Sequence, residues 1–396
     1  MYDSLYKLYY SSPKEHSAIY QQRFISPSSV HLPFKIREFN HDRFYTAFFC
    51  YNQDVTIALE RIYSHFIDFM RILPKVPPMV LYQFALGCIV DEVHSTSDIE
   101  GIHSTHRELR DILDGDSNNV HFSSIIRQYE MLTSGIYPSF KTCEDVRRFY
   151  DEFAHEDAVA NNPKNRLDGV LFRKEAVDVL SPSGKIIHRG VEPEEKMIEA
   201  MKEVLTFLNS EDYPALIRIA VFHYLFVYIH PFYDGNGRTA RFISSCYIAE
   251  HLHSLVALRL SVIIKRHKKE YYSMLRKTDA FINCGELTPF ICGFLELVEE
   301  TLYEINRKLE RKIKQLERVK QKLFTSLPDD ECIRSIMLCL LNASAFYGRG
   351  ASMSDLMTAS GKTRNTVKKK LLSMPVRVVE GKRYYYKINW LAVKRL

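Results

Sequence analysis

Apolar and polar positions alternate with a helical rhythm over most of the chain, interrupted by a short hairpin and, near the end, by a pair of strands. Residues 77–95, PPMVLYQFALGCIVDEVHS, place apolar side chains at helical spacing. Residues 238–252, RTARFISSCYIAEHL, predict a second helix, opened by Gly235, Asn236 and Gly237. Lys268 to Leu275 predict another, and Asn306 to Lys322 alternates basic and apolar residues in a helical pattern. Between Phe172 and Gly190 the period changes. Ala176 to Leu180 reads as a short strand, Ser181, Pro182, Ser183 and Gly184 carry turn chemistry, and Lys185 to His188 returns as a second strand. Further on, helices are expected over Asp330–Asn342, Ser354–Ser360 and Thr363–Leu372, with a turn at Gly361. Two strands then follow, Val376–Val379 and Tyr384–Ile388, joined at Glu380, Gly381 and Lys382. Residues 1–80 are rich in Tyr and Phe, with turn signals at Ser12-Pro13 and Pro27, and read as an arm or helical extension.

A chain of 396 residues, 46% apolar and 26% charged, has room for two or three domains of ordinary globular composition. No apolar run reaches the length of a membrane span, and MYDSLYKLYY lacks a basic segment followed by an apolar core. The eight cysteines form no CxxC pair and mostly sit in apolar helical surroundings. They read as reduced thiols of a cytoplasmic protein, not as a disulfide framework or a metal site.

The densest chemistry lies in His230-Pro-Phe-Tyr-Asp-Gly-Asn-Gly-Arg-Thr-Ala-Arg241. Gly235 and Gly237 free the backbone to turn sharply and to approach a ligand. The amides and dipole of the helix that follows would point into this turn, which suits an anion. Arg238 and Arg241, three apart, share a helix face and can both meet phosphate oxygens. Asp234 offers the hard oxygen that Mg²⁺ uses when it also binds substrate phosphates. His230 is the one residue of the set able to act as a base near neutral pH.

This window resembles the Fic family signature, HxFx(D/E)GNGRxxR, at each defined position. The resemblance extends from about Leu81 to Leu297, which looks like a Fic core with its upstream helices. It implies transfer of AMP from ATP to a Tyr, Ser or Thr hydroxyl of a protein. His230 would deprotonate the hydroxyl, and Asp234 would hold Mg²⁺ between the α- and β-phosphates. Asn236 and the amides around Gly235 and Gly237 would cradle the phosphates. Arg238 would bind near the β-phosphate and Arg241 the γ-phosphate, while Phe232 would face the core. Upstream, Thr96-Ser-Asp-Ile-Glu100-Gly101 resembles the family's inhibitory motif, (S/T)xxxE(G/N). By that match Glu100 would pair with Arg241 and misplace ATP; taken by itself the string reads instead as a surface Glu closing a helix before a glycine. The 176–188 hairpin resembles the family flap, which holds a target segment by strand addition. His188 is then a polar flap residue and not a second base. Tyr271 or Tyr272 would lie near adenine, core packing being the alternative for both. Asp279 stands about where relatives often carry Asn, which leaves nucleotide preference open.

Charge separates the tail from the rest. Residues 301–396 hold 21 Lys and Arg against 8 Asp and Glu, so the remainder is acidic although the whole chain is +6. Such an asymmetry points to an anionic partner. The order of the tail's elements resembles a winged helix-turn-helix. Lys362, Arg364, Lys368 and Lys369 would then reach DNA; protein contact or a homodimer is the other use of such a module. Gly361-Lys-Thr363 does not close a phosphate-binding loop of the Walker type, because Leu356 stands where its first glycine belongs.

The expectation is therefore a mainly α protein: an all-helical Fic core with a small β-hairpin flap, plus a C-terminal winged helix-turn-helix. Residues 1–120 would form an N-terminal helical region with an inhibitory helix, 121–300 the catalytic core, 301–328 a connecting helix and 329–396 the winged module. The expected activity is AMP transfer to protein, restrained by Glu100, with ATP and Mg²⁺ as substrate and cofactor. Other nucleotidyl or phosphoryl transfer, removal of AMP, and a nucleotide-sensing DNA-binding regulator are the alternatives.

Overall fold

The computed structural model describes residues 2–115, 122–181, 183–326, 330–346, 350–379 and 384–389. The described residues are mainly helical, with three small antiparallel sheets among them. It divides into two units, Met1–Phe66 with Cys88–Tyr303, and Ile67–Gly87 with Glu304–Leu396.

The first unit opens with α1 (Leu5–Ser11) and α2 (Pro13–Phe24). The Ser4 hydroxyl accepts from the Lys7 amide to start α1, and Pro13 occupies the first turn of α2, where a missing N–H costs nothing. A hairpin follows, β1 (Ser29–Ile36) with β2 (Tyr45–Cys50), where the sequence suggested only an arm or helical extension. Leu32, Phe34 and Ile36 are buried while His31, Pro33 and Lys35 are exposed, which is the two-residue period of a strand. Pro33 argues against a strand on sequence grounds, but it falls in the irregular stretch between His31 and Lys35 where the ladder register shifts.

Three helices, α3 (Gln53–Ile72), α4 (Pro78–Ile99) and α5 (His106–Leu113), come next. α4 runs four residues beyond the predicted stretch and stops at Gly101, which takes the left-handed conformation at φ +78°. α6 (Ser123–Thr133) and α7 (Cys143–Tyr150) follow, α7 opened by a reciprocal cap between Thr142 and Asp145. A π-helical turn at Asp151–His155 leads into α8 (Glu156–Asn161). β3 (Asp178–Leu180) and β4 (Ile186–Arg189) make the predicted hairpin; Pro182 of its turn lies outside the described residues.

The centre of this unit is α9 (Glu194–Asn209), α10 (Ala215–Ile229) and α11 (Asn236–His251), with α10 packed against both neighbours. ALIRIAVFHYLFVYI is apolar on every side, so α10 is buried nearly all round. The chain continues as α12 (Ser254–Ala257), α13 (Leu260–Arg266), α14 (Lys268–Asp279) and α15 (Thr288–Ser326). Buried Glu92 of α4 ties the two ends of this region together. Its carboxylate accepts from the amides of Ser261 (2.8 Å) and Val262 (3.3 Å) at the start of α13, where the helix dipole favours an anion. Burial nevertheless pushes its pKa up to about 7.

In the second unit, α16 (Glu331–Phe346), β5 (Ala351–Ser352), α17 (Met353–Ser360), α18 (Arg364–Leu371), β6 (Val376–Val379) and β7 (Tyr385–Ile388) follow the predicted order, with β5 added. The strands pair antiparallel in the order β5-β7-β6. Ile336, Met337, Leu340, Leu356, Val367 and Ile388 fill its core. The turn at Glu380, Gly381 and Lys382, and Leu327 and Pro328 at the expected linker, lie outside the described residues.

Candidate active site

The loop between α10 and α11 presents the predicted residues at the centre of the first unit. His230 caps α10 in a left-handed conformation, φ +54°, which few side chains adopt but His tolerates better than most. Buried Arg173 holds it there, donating to the carbonyls of His230 (2.8 Å) and Val191 (2.9 Å). The His230 Nδ1 lies 3.2 Å from the Val227 carbonyl. A carbonyl only accepts, so Nδ1 carries the proton and Nε2 keeps a lone pair. Burial first, and then neighbouring His188, push the His230 pKa down to about 3, so the ring is neutral at physiological pH.

The loop is stiffened from inside. Phe232 is buried and stacks on Tyr150 with ring centroids 3.6 Å apart, and the Tyr150 hydroxyl donates to the Asp234 carbonyl at 3.0 Å. The Asn236 side chain accepts from the Phe232 amide (2.9 Å) and donates to the Phe232 carbonyl (2.7 Å). Both ends of that amide are thus engaged by the loop backbone. The sequence reading had Asn236 face the phosphates; here its side chain shapes the turn. Gly235 adopts φ +80° ahead of α11, a conformation open to glycine. Asp234 Oδ1 accepts from the Gly235 amide at 2.6 Å, while Oδ2 lies 3.9 Å from Arg238.

Two arginines of α11 lie buried beside this loop. Arg238 is 0% exposed and meets Asp157 at 3.4 Å, but its Nε and Nη2 have no hydrogen-bond partner among the described residues. Unsatisfied buried donors on a cation are costly and point to an anion that the site is shaped to receive. Arg241, 1% exposed, is held by α4: its Nε donates to the Thr96 hydroxyl (2.9 Å), and Nη2 to the Thr96 carbonyl (3.0 Å) and Glu100 Oε1 (2.7 Å). Glu100 therefore reaches Arg241, as the motif match implied. Gly237 makes the approach possible, because a Cβ there would stand 2.1 Å from Glu100 Oε1.

A cavity lined by Glu100, His188, His230, Gly237, Arg241, Tyr271, Tyr272, Leu275 and Asp279 joins these groups. His188 of β4 donates from Nε2 to the Tyr228 carbonyl (2.7 Å) and faces Asp279 through Nδ1 (2.9 Å). With acceptors at both nitrogens the ring is held as a cation. Burial lowers its pKa, but Asp279 outweighs burial and leaves it raised. His188 is therefore paired and no second base. Asp279 is committed to this ring and to the Tyr224 hydroxyl (2.7 Å). Of the two tyrosines, Tyr271 is buried with its hydroxyl on His223 (2.8 Å), while Tyr272 is 38% exposed at the cavity. The sequence did not single out Arg173, Thr96 as a ligand of Arg241, or His223.

The second unit places Lys362, Arg364, Lys368 and Lys369 on the outside of α18 and the turn before it, all exposed. Among the described residues no group of three or more His, Cys, Asp or Glu side chains is arranged to hold a metal, and no helix is long and apolar enough to cross a membrane.

A profile of the Fic/DOC family matches residues 98–248. The chain is 28% identical over 207 residues to protein adenylyltransferase fic-1 of Caenorhabditis elegans, covering 50% of this chain and 37% of that protein. It is 33% identical over 99 residues to protein adenylyltransferase Fic of Drosophila grimshawi, covering 24% of this chain and 19% of that one. The chain thus spans well under half the length of these curated relatives. A crystal structure of a Fic family protein from Desulfovibrio desulfuricans shares the fold, with a TM-score of 0.54 at 16% identity over 85% of this chain and 96% of that one. The span that resembles the Fic/DOC family, residues 98–248, contains Glu100, His230 and both arginines.

Proposed function

We propose that this protein transfers AMP from ATP to a Tyr, Ser or Thr hydroxyl of a protein, and that Glu100 restrains the reaction by occupying Arg241. The observation that carries the reading is the pair of buried arginines, one with open donors and one held by a carboxylate at 2.7 Å. Nε2 of His230, left with its lone pair by the Nδ1 contact, accepts the hydroxyl proton. The hydroxyl oxygen bonds to the α-phosphorus of ATP, the bond from that phosphorus to the β-phosphate bridging oxygen breaks, and pyrophosphate leaves. Arg238 and the first amides of α11 meet the phosphate charge, and Arg241 meets the γ-phosphate once Glu100 withdraws. The residues fit Mg²⁺ to the extent that Asp234 offers one free carboxylate oxygen beside the open donors of Arg238. Bound there with the substrate phosphates, Mg²⁺ would neutralise charge developing on the leaving group. Tyr272 and Leu275 supply apolar contact for adenine, and the β3–β4 hairpin offers the target a strand to pair with. The names of the relatives support adenylyl over uridylyl, phosphoryl or phosphocholine transfer.

The test uses Glu100→Gly with ATP labelled at the α- or the γ-phosphorus. Protein should acquire α-label and no γ-label, and His230→Ala in the same background should lose about 10²–10⁴-fold of the rate. Label from the γ-position would make the protein a kinase, and no label from either would refute the transfer.

A further inference from the structure

The transfer site leaves the second unit without a role, and one face of α18 carries an unusual set of side chains. Residues 351–396 hold 11 Lys and Arg against 2 Asp and Glu. α17 and α18 form a helix-turn-helix, with Gly361 in the left-handed conformation at φ +63° between them. α18 has a clear inside, where Val367 is buried in the core and Leu371 packs against it. Lys370 is tied down as well, its ammonium bonded to Asp330. The other face reads Arg364, Asn365, Lys368, Lys369 and Leu372, all exposed, Leu372 at 88%. Their spacing of one, three and four residues places them on one stripe. None of Lys362, Arg364, Lys368 or Lys369 has an ion-pair partner among the described residues. From Arg364 to Leu372 the stripe is about 12 Å long at 1.5 Å per residue, close to the width of the B-DNA major groove.

We propose that α18 is a recognition helix that docks in the major groove of duplex DNA. Arg364 and Asn365, at the helix N-terminus, are the base-reading positions, since the first residues of such a helix reach base edges and these two types pair bidentately with guanine and adenine. Lys362, Lys369 and the exposed Arg377 of β6 contact phosphates on either side. Leu372, too exposed to serve the core, lies against sugar or a thymine methyl. The competing occupant is a protein, and exposed Leu372, Val378 and Tyr384 would suit one. Charge decides against it: interface cores between proteins are depleted in Lys, whereas duplex DNA rewards each neutralised phosphate by counterion release. The proposal is independent of AMP transfer, and its failure leaves that reading untouched.

The full chain would be titrated against a fluorescent 30-base-pair duplex of mixed sequence by anisotropy, between 50 and 200 mM KCl. Affinity should fall with salt at a log–log slope of about −0.9 per phosphate contact, and Lys362→Ala with Lys369→Ala should reduce that slope by about 0.9 for each cation removed. Arg364→Ala should cost affinity on selected sites and narrow the gap between specific and random duplexes, with thermal unfolding of each variant unchanged. Lys14→Ala with Lys202→Ala, exposed cations of the first unit, should leave binding as it was. An A-form RNA duplex, whose major groove does not admit a helix, should bind more weakly. No binding at 50 mM KCl, an equal loss from the Lys14/Lys202 control, or equal affinity for the RNA duplex would overturn the proposal. Absence of DNA binding together with self-association lost on Leu372→Ser would assign the face to a second copy instead.

Discussion

Gly237 and Glu100 share a space that holds a carboxylate or a methyl group, but not both. A Cβ at position 237 would lie 2.1 Å from Glu100 Oε1 and 3.0 Å from Arg241 Nη1. Gly237→Ala should therefore destabilise the parent by about 1–3 kcal/mol, the usual scale of overpacking. The same change in a Glu100→Gly background should cost clearly less, since the side chain it collides with is gone. A double-mutant cycle from denaturant unfolding measures the difference, and equal costs in both backgrounds would show that Glu100 does not sit over Gly237. At this scale the sequence was legible where chemistry dictates residue type. His230, Asp234, Gly235, Gly237, Arg238 and Arg241 all fall on one loop and helix start because a sequence-local motif keeps its residues adjacent in space. Arg173 and Thr96 were not legible as site residues. Their roles depend on carbonyls and a guanidinium reached across 57 and 145 positions of chain. Asn236 was named from the motif but turned inward, because the tight turn at Gly235 brings both backbone groups of Phe232 within its reach.

α10, α11 and α14 are fastened together by one buried histidine. The Ser244 hydroxyl donates to the Ala240 carbonyl, so its oxygen accepts from His223 Nδ1 at 2.9 Å, and Nε2 then accepts from the Tyr271 hydroxyl at 2.8 Å. Burial, with Arg241 nearby, pushes the His223 pKa down to about 3. The unfolded chain takes up a proton near pH 6.5 and the fold does not until near pH 3, so His223 makes stability fall as pH drops through that window. The slope is about 1.4 kcal/mol per pH unit for one group once the unfolded form is fully protonated. His188 has the opposite sign: its pKa is raised, so its contribution is full below 6.5 and fades as pH rises through the folded value. Urea unfolding at pH 7.0 and 5.0 should show His223→Gln losing less stability on acidification than the parent. An unchanged difference between the two pH values would mean that His223 is not held neutral. Helices were legible at this scale because their apolar period is long and repeated, as in residues 77–95, realised within Pro78–Ile99. β1 was hidden by Pro33, and β5, two residues long, has too few positions to show a period.

For the molecule as a whole, the acidic balance of residues 1–300 and the basic balance of 301–396 follow the difference between the helical region that carries the His230–Arg241 loop and a tail with exposed cations on α18. The tail's element order was readable from its turns, since Gly361 and the strand patterns punctuate it. The division into units falls inside α15, which runs unbroken from Thr288 to Ser326 while its composition turns from acidic and apolar to basic just beyond Glu304. The claim on which the functional account rests is that Glu100 and the γ-phosphate compete for Arg241. The most direct measurement is the initial rate of α-label transfer from ATP to protein by the parent, Glu100→Gly, and Glu100→Gly with Arg241→Ala. A competition worth about 1–3 kcal/mol predicts a gain of about 5–150-fold on removing Glu100, and loss of that gain when Arg241 is removed as well. A Glu100→Gly protein no faster than the parent at any Mg²⁺ concentration, or a double variant as fast as Glu100→Gly, would contradict it.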